Sequence, residues 1–232
     1  MLNRPDILFL WCTGYTKREP DCGSILREIG ILTALQGLKL VVQIVATYND
    51  SQEGLLSKAC IQQKYEQFKK RYPIIVMENL SGGSVLERLR SMTESKTGFS
   101  ESDAAKIFRS FIQGVAEIHS RGIINCDLKL ENLMFIDHSN NLQVKIIDFG
   151  LAISLRDRKE HFDKNCYGTP IYIARETLTC KHTSSEYMYS RATDIWQTGT
   201  VLYALLCMKY PFAPNQLMLE ELGECIMNAR YR

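Results

Sequence analysis

The stretch Asn125-Cys126-Asp127-Leu128-Lys129-Leu130-Glu131-Asn132, with Asp148-Phe149-Gly150 following it, decides how this chain is read. Between the two lie Leu133 to Ile136 and Val144 to Ile147, short apolar runs separated by the polar turn His138-Ser139-Asn140-Asn141. That pattern predicts a β-hairpin. A hairpin returns the chain to its starting point, so Asp148 comes back beside Asn132. Magnesium takes hard oxygen ligands, and one carboxylate with one amide oxygen suit it. Asp127 has the chemistry to accept the proton of a hydroxyl, and Lys129 to steady negative charge on a group in transit. Together these are the groups that moving a phosphoryl group needs. Asp148-Phe149-Gly150 by itself would be no more than a turn after a strand.

Ser100 with Asp103 marks a capped helix start, and Phe108, Phe111, Ile112, Val115 and Ile118 follow a helical stripe down to Gly122. Ile74 to Met77 is a β-rich run, and Ser81-Gly82-Gly83 is a breaker suited to joining two lobes. Val41 to Ala46 predicts a strand. Ser24 to Leu35, with Ile25, Ile29 and Leu32 at helical spacing, predicts an amphipathic helix carrying Glu28 on or near its inner face. Asp50 to Arg71 is polar, with sparse apolar positions, and reads as a weakly amphipathic helix or a surface insertion. Asp194 to Leu206 is apolar nearly all round, which predicts a helix buried within its domain.

With 232 residues, 45% hydrophobic and 23% charged, the chain is globular and long enough for one substantial core or two small ones. A net charge of +2, with no basic block interleaved with aromatics, gives no electrostatic footprint for nucleic acid. Eight cysteines stand singly between Cys12 and Cys225, without a C-x-x-C pair. Free thiols in a reducing compartment, the cytoplasm or nucleus, are the expectation. Ile7 to Trp11 is too short for a signal segment, and no later run reaches spanning length, so no membrane role is expected. No pattern fixes an oligomeric state.

Asn125 to Asn132 resembles the catalytic loop H-R-D-L-K-x-x-N of protein kinases, and Asp148-Phe149-Gly150 resembles their D-F-G magnesium motif. Further landmarks follow in family order. Met77-Glu78-Asn79-Leu80 resembles the adenine-contacting hinge, and Gly168-Thr169-Pro170 through Ala174-Arg175-Glu176 resembles the end of an activation segment. Asp194-Ile195-Trp196 with Gly199 resembles the central helix of the large lobe. The chain is identified as a member of the eukaryotic serine/threonine protein kinases. The wording around Asp21-Cys22, Leu26-Arg27-Glu28 and Gly168-Thr169-Pro170 is most similar to the calcium/calmodulin-dependent group, with its death-associated branch.

The resemblance implies an α+β, bilobal protein-kinase-like fold. Residues 1–80 would form a partial β-rich small lobe with an insertion at about 50–71, and residues 81–232 a mainly helical large lobe. It implies ATP and Mg2+ as cofactors and a protein substrate with a serine or threonine acceptor, a choice favoured by Lys129 and Thr169 beside Asp127. Asp127 would be the base, Lys129 the charge stabiliser, and Asn132 and Asp148 the metal ligands. Met77, Glu78 and Leu80 would meet adenine, and Glu28 would pair the small-lobe lysine.

Several positions depart from the family pattern. No G-x-G-x-x-G loop is evident, and Trp11 stands roughly where the lysine belongs. Lys17 suits that role only if the chain before Glu28 is shorter than usual; otherwise it is a solvated surface residue. The chain stops soon after Tyr210-Pro211-Phe212, so both ends are expected to be cut, leaving Glu176 a buried carboxylate without its arginine. Asn125 replaces the family histidine, which packs on the Phe of D-F-G and contacts backbone, and is expected to fill those roles only in part, with some loss of packing. Cys126 replaces the arginine that holds a phosphorylated loop, and Leu151 to Gly168 contains no threonine. Activity is therefore expected to be independent of phosphorylation there. Arg175 replaces a proline. Glu131 stands where some kinases read a basic residue of the substrate, or is simply a solvated carboxylate, while Ser84 and Ala204 stand where further acids would be. The alternative to a kinase is an impaired or truncated one acting as an interaction scaffold.

Overall fold

Ile25 and Leu32, buried on one side of helix α1 (Cys22–Ala34), and Leu35 just beyond it anchor the first helix to the core. Leu32 is fully buried, and truncating such a side chain to alanine costs about 2–5 kcal/mol. Ile29 packs at the edge of the same core, and Glu28 is half-buried, as the spacing predicts. The computed structural model describes residues 7–10, 22–49, 52–53, 74–139, 141–156, 162–163, 168–178, 187–212 and 219–230. Trp11, Lys17, Tyr167 and nearly all of the expected insertion lie outside these residues.

Beside α1 lies a four-stranded antiparallel sheet of β1 (Ile7–Leu10), β2 (Ile44–Asn49), β3 (Gln52–Glu53) and β4 (Ile74–Glu78), in the order β1-β4-β2-β3. The strand predicted over Val41 to Ala46 begins later than its apolar run. Val41 and Val42 instead join a distant segment: the Val42 N–H donates to Ile146 O at 3.0 Å, and the Ile146 N–H to Leu40 O at 3.0 Å. Their hydrophobicity serves that junction and not the sheet.

After β4, Ser81-Gly82-Gly83 turns the chain into α2 (Val85–Glu94). A Cβ on Gly82 would lie 2.3 Å from the Asp137 carbonyl oxygen, so no other residue fits this turn. Ser84 and Glu87 close a reciprocal capping box, with Glu87 N–H to Ser84 Oγ at 3.1 Å and Ser84 N–H to Glu87 Oε2 at 2.8 Å. In α3 (Glu101–Ser120), Ser100 Oγ accepts the Asp103 N–H at 3.1 Å. Its inner face is Ala104, Ile107, Phe111, Val115 and Ile118, with Phe108 and Ile112 at the margin.

Then come β5 (Ile123–Ile124), a 3-10 turn over Leu130–Asn132, and the expected hairpin of β6 (Leu133–Phe135) and β7 (Val144–Ile146). β8 (Ile153–Ser154) pairs with β5, and β9 (Phe162–Asp163) pairs with β10 (Tyr187–Met188). Helices α4 (Arg191–Cys207) and α5 (Leu219–Met227) follow. One continuous hydrophobic core runs from Ile25 and Met77 through Phe111, Phe135 and Phe149 to Val201 and Leu205. The fold is α+β. Among the described residues, no helix is long and apolar enough to cross a membrane.

Two expectations are corrected. Helix α4 is not the uniformly apolar core helix its composition predicts: Thr193, Asp194, Gln197, Thr198 and Thr200 are buried, while Ile195 is 52% and Leu206 49% exposed. Asp194 and Gln197 face inward because they satisfy buried backbone groups of residues 125–128. Glu176 is exposed, so a carboxylate there keeps its hydration and needs no buried partner.

Candidate active site

Asp194 organises the loop that carries the candidate residues. Its carboxylate, fully buried, accepts the N–H of Asn125 on Oδ2 and the N–H of Cys126 on Oδ1, each at 2.9 Å. His119 Nε2 lies 2.7 Å from the same Oδ2. One turn along α4, Gln197 continues the work: its Nε2 donates to Cys126 O at 2.8 Å, and its Oε1 accepts the Leu128 N–H at 2.9 Å. A carboxylate and an amide thus replace water for four backbone groups of residues 125–128, which a buried loop requires.

That scaffold holds Cys126 at φ 67°, the left-handed region that disfavours side chains by roughly 1–2 kcal/mol. Gly168 faces it with φ 115°; a Cβ there would sit 3.2 Å from Cys126 O. The Cys126 side chain packs with Ile124, Ile153 and Tyr189, with Leu151 and Leu155 at the margin. Burial, followed by the Asp194 and Asp127 charges, pushes its thiol well above the ordinary 9.0. Where the resemblance puts a phosphate-holding arginine, the protein has an apolar contact between the catalytic-type loop and β8.

Asn125 does more than the sequence indicates. Its Nδ2 donates to the backbone oxygen of Asp148 at 2.7 Å, and its Oδ1 accepts the Asp127 N–H at 3.1 Å. Both of these backbone contacts are made. One side chain bridges the two motifs.

Asp127 is almost buried and surrounded by donors. Oδ1 accepts from Thr169 N–H at 3.1 Å and Thr169 Oγ1 at 2.9 Å; Oδ2 lies 2.5 Å from Lys129 Nζ. Lys129 Nζ also donates to Thr169 Oγ1 at 2.9 Å, closing a three-membered ring of polar contacts. Asn132 Nδ2 donates to Asp127 O at 3.0 Å and approaches Oδ2 at 3.4 Å. The Ile147 N–H donates to Asn132 O at 3.1 Å, so the hairpin returns Asp148 to the side of Asn132 as predicted. One Asp148 oxygen, Oδ1, accepts the Gly150 N–H at 2.9 Å.

From the other side of the core, Glu28 reaches the same turn: its Oε2 would be 3.9 Å from a Cβ on Gly150. Phe149 between them is 1% exposed. Met77 and Leu80 are buried core residues, and the Glu78 side chain is engaged by Lys145 and the Gln43 N–H. The side chains of the proposed hinge are thus largely committed to the protein itself. Glu131 is not simply solvated, because its Oε2 lies 3.3 Å from Tyr172 Oη, which is 3.2 Å from Tyr210 Oη and accepts the Leu130 N–H at 3.3 Å. Burial, then Tyr210, raises the Tyr172 phenol far above its ordinary value.

Among residues important to this geometry, Asp194 was legible as part of a motif, but Gln197 and Lys145 were not. Their signal was faint: a lone amide and a lone lysine in apolar runs.

A model of the protein kinase domain matches residues 14–230. The chain is 39% identical over 158 residues to serine/threonine-protein kinase 33 of Bos taurus, covering 66% of this chain and 30% of that protein. It is 31% identical over 208 residues to calcium-dependent protein kinase 27 of Arabidopsis thaliana, covering 88% and 37% respectively. Calcium-dependent protein kinase 5 of Plasmodium berghei is 33% identical over 175 residues, covering 74% of this chain and 28% of that protein. The chain therefore spans roughly a third of the length of these relatives. With the D-F-G turn, the catalytic-type loop and its supporting aspartate all joined in one place, the chain belongs to the protein kinase domain family and is similar, within it, to serine/threonine kinases of the calcium/calmodulin-dependent kind.

Proposed function

We propose that this chain transfers the terminal phosphate of ATP to serine or threonine hydroxyls of a protein substrate. The observation that carries the proposal is the Asn125 bridge, which ties the backbone of Asp127 to that of Asp148. Asp148 and Asn132, brought together by the backbone bond between Ile147 and Asn132, carry the carboxylate and amide oxygens that suit magnesium. When bound, the ion would neutralise charge on the phosphate oxygens. Asp127 accepts the proton of the substrate hydroxyl, oriented by the two Thr169 donors. Lys129, within reach of Asp127 and Thr169, stabilises negative charge on the phosphoryl group. The segment from Met77 through Glu78 to Leu80 meets adenine through its backbone, and Glu28 pairs a small-lobe lysine.

Residues 1–80 are assigned to a small lobe and 81–232 to a large lobe. The compartment is the cytoplasm or nucleus, a reading supported by the scattered cysteines; Cys126, Cys207 and Cys225 are free thiols.

A second reading, an interaction module without transfer, draws on the missing G-x-G-x-x-G loop. Each lost phosphate contact would weaken nucleotide affinity and alignment. Thermal denaturation with and without Mg-ATP, followed by transfer of labelled phosphate by wild type and Asp127→Ala, separates the two. The kinase reading expects a raised midpoint and a loss of about 10²–10⁴-fold in transfer by the variant. No nucleotide-induced shift together with no Asp127-dependent transfer would overturn it.

A further inference from the structure

Lys145 is a largely buried charge that none of the phosphate-handling chemistry uses. It lies on β7, three positions before Asp148. Its Nζ is 2.5 Å from Glu78 Oε1, and the two side chains are only 11% and 28% exposed. The same Glu78 oxygen accepts the Gln43 N–H at 2.9 Å, and the Glu78 N–H returns a bond to Gln43 O at 3.0 Å. Gln43 is itself the hub of the turn after α1: its Nε2 donates to Leu38 O at 3.0 Å and Val41 O at 2.9 Å, and its Oε1 accepts the Gly37 N–H at 2.7 Å.

Three segments therefore meet at one carboxylate oxygen. They are the turn that follows the Glu28 helix, the end of β4 where the hinge begins, and the strand that leads to Asp148. The backbone bonds between Val42 and Ile146 and between Ile146 and Leu40 run alongside. A poorly solvated ion pair is held in one geometry more strongly than an exposed one, and removing one partner leaves the other desolvated and unmatched.

We propose that Lys145 is a positioning residue that, through Glu78, sets the hinge segment in register with the Asp148 strand, so that adenine and phosphates are held at the correct mutual distance. The part concerning nucleotide rests on the phosphotransfer reading; the coupling of hinge to strand does not. Because Lys145 touches no reacting group, its loss should weaken ATP binding in ground state and transition state alike. That signature is a higher KM with kcat largely retained, the opposite of a lost catalytic base.

The test compares wild type, Lys145→Met, Glu78→Gln and the double variant by ATP kinetics, and by amide hydrogen exchange of residues 78–80 in nucleotide-free protein. Each single variant is expected to raise KM for ATP about tenfold and to speed hinge exchange. The double variant should be no worse than the more affected single one, because the two changes remove one interaction. Lys145→Arg should restore part of the KM. Unchanged hinge exchange in Lys145→Met, or additive effects in the double variant, would overturn the coupling. Faster exchange with an unaltered KM would overturn the positioning of nucleotide. Should Lys145→Met fail to fold, Glu78→Gln, which preserves shape, decides by the same two measurements. A wild type that binds no nucleotide overturns the phosphotransfer reading and the nucleotide part of this inference, while exchange still decides the coupling.

Discussion

The Asn125 amide donates to the carbonyl of Asp148 at 2.7 Å while its oxygen takes the Asp127 N–H at 3.1 Å, so one side chain spans the proposed base and the proposed metal ligand. The orientation of the amide follows from its partners, a carbonyl on one side and an N–H on the other.

Asn125→Ala should leave both of those buried backbone groups without a partner, at a cost of about 1–3 kcal/mol each. Phosphate transfer should fall on the order of 10²-fold, since small misplacements of reacting groups have that effect. The nearly isosteric Asn125→Asp should do worse, because it sets a carboxylate against the Asp148 carbonyl. Denaturant unfolding and transfer rates measured on both variants check the order; an Asp variant as stable as wild type would contradict it.

Asp194→Ala removes the acceptor shared by Asn125, Cys126 and His119. Loss of a buried charged partner costs about 3–5 kcal/mol. Stability and activity should drop together, and the Cys126 backbone, released from φ 67°, should relax. Equilibrium unfolding is the measurement, and a loss below about 1 kcal/mol would show that Gln197 alone can hold the loop.

Cys126 gives the loop an apolar rather than a charged contact with β8. Treatment with phosphatase should therefore leave the transfer rate within about twofold, because no charge at residue 126 awaits a phosphate. An activating phosphate mapped within residues 151–168 would reject this. In the folded protein, Cys207 should react with iodoacetamide and Cys126 should not, as peptide mass mapping will read.

Alkaline pH should destabilise the fold. The Cys126 thiol is raised above its ordinary 9.0, and the Tyr172 and Tyr210 phenols above 10.0, each chiefly by burial. Above those ordinary values the unfolded chain has released protons that the folded chain retains, so stability falls as pH rises. Their contribution is complete below about pH 8.5 and should decline steadily towards about pH 11. Urea midpoints across that range test it; a flat profile would mean these groups titrate normally in the folded state.

Much of the site was legible because its parts are neighbours in sequence or are returned by a short hairpin. Residues Leu133 to Ile147 advertise two strands and a polar turn, and the contact between Ile147 and Asn132 follows. The first turn of α2 was equally local, with Ser84 and Glu87 at capping-box spacing, yet the Ser81-Gly82-Gly83 breaker before it drew attention to a boundary instead. The strand begins at Ile44 and not at Val41 for a different reason. A β-branched pair looks the same whether it joins a sheet or clamps a remote strand, and here it clamps Ile146.

The chemistry is readable along the chain: a carboxylate, an ammonium, an amide and a second carboxylate, in an order that local turns can gather. Which way α4 faces is set by long-range packing. Its composition predicts a buried apolar helix, whereas Asp194 and Gln197 are buried along with Val201, Ala204 and Leu205, because they meet backbone groups of Asn125 and Leu128 that lie 69 residues away in each case. A polar residue goes inside when the partner it satisfies is already there, and that partner is set by the fold, beyond the reach of periodicity or composition.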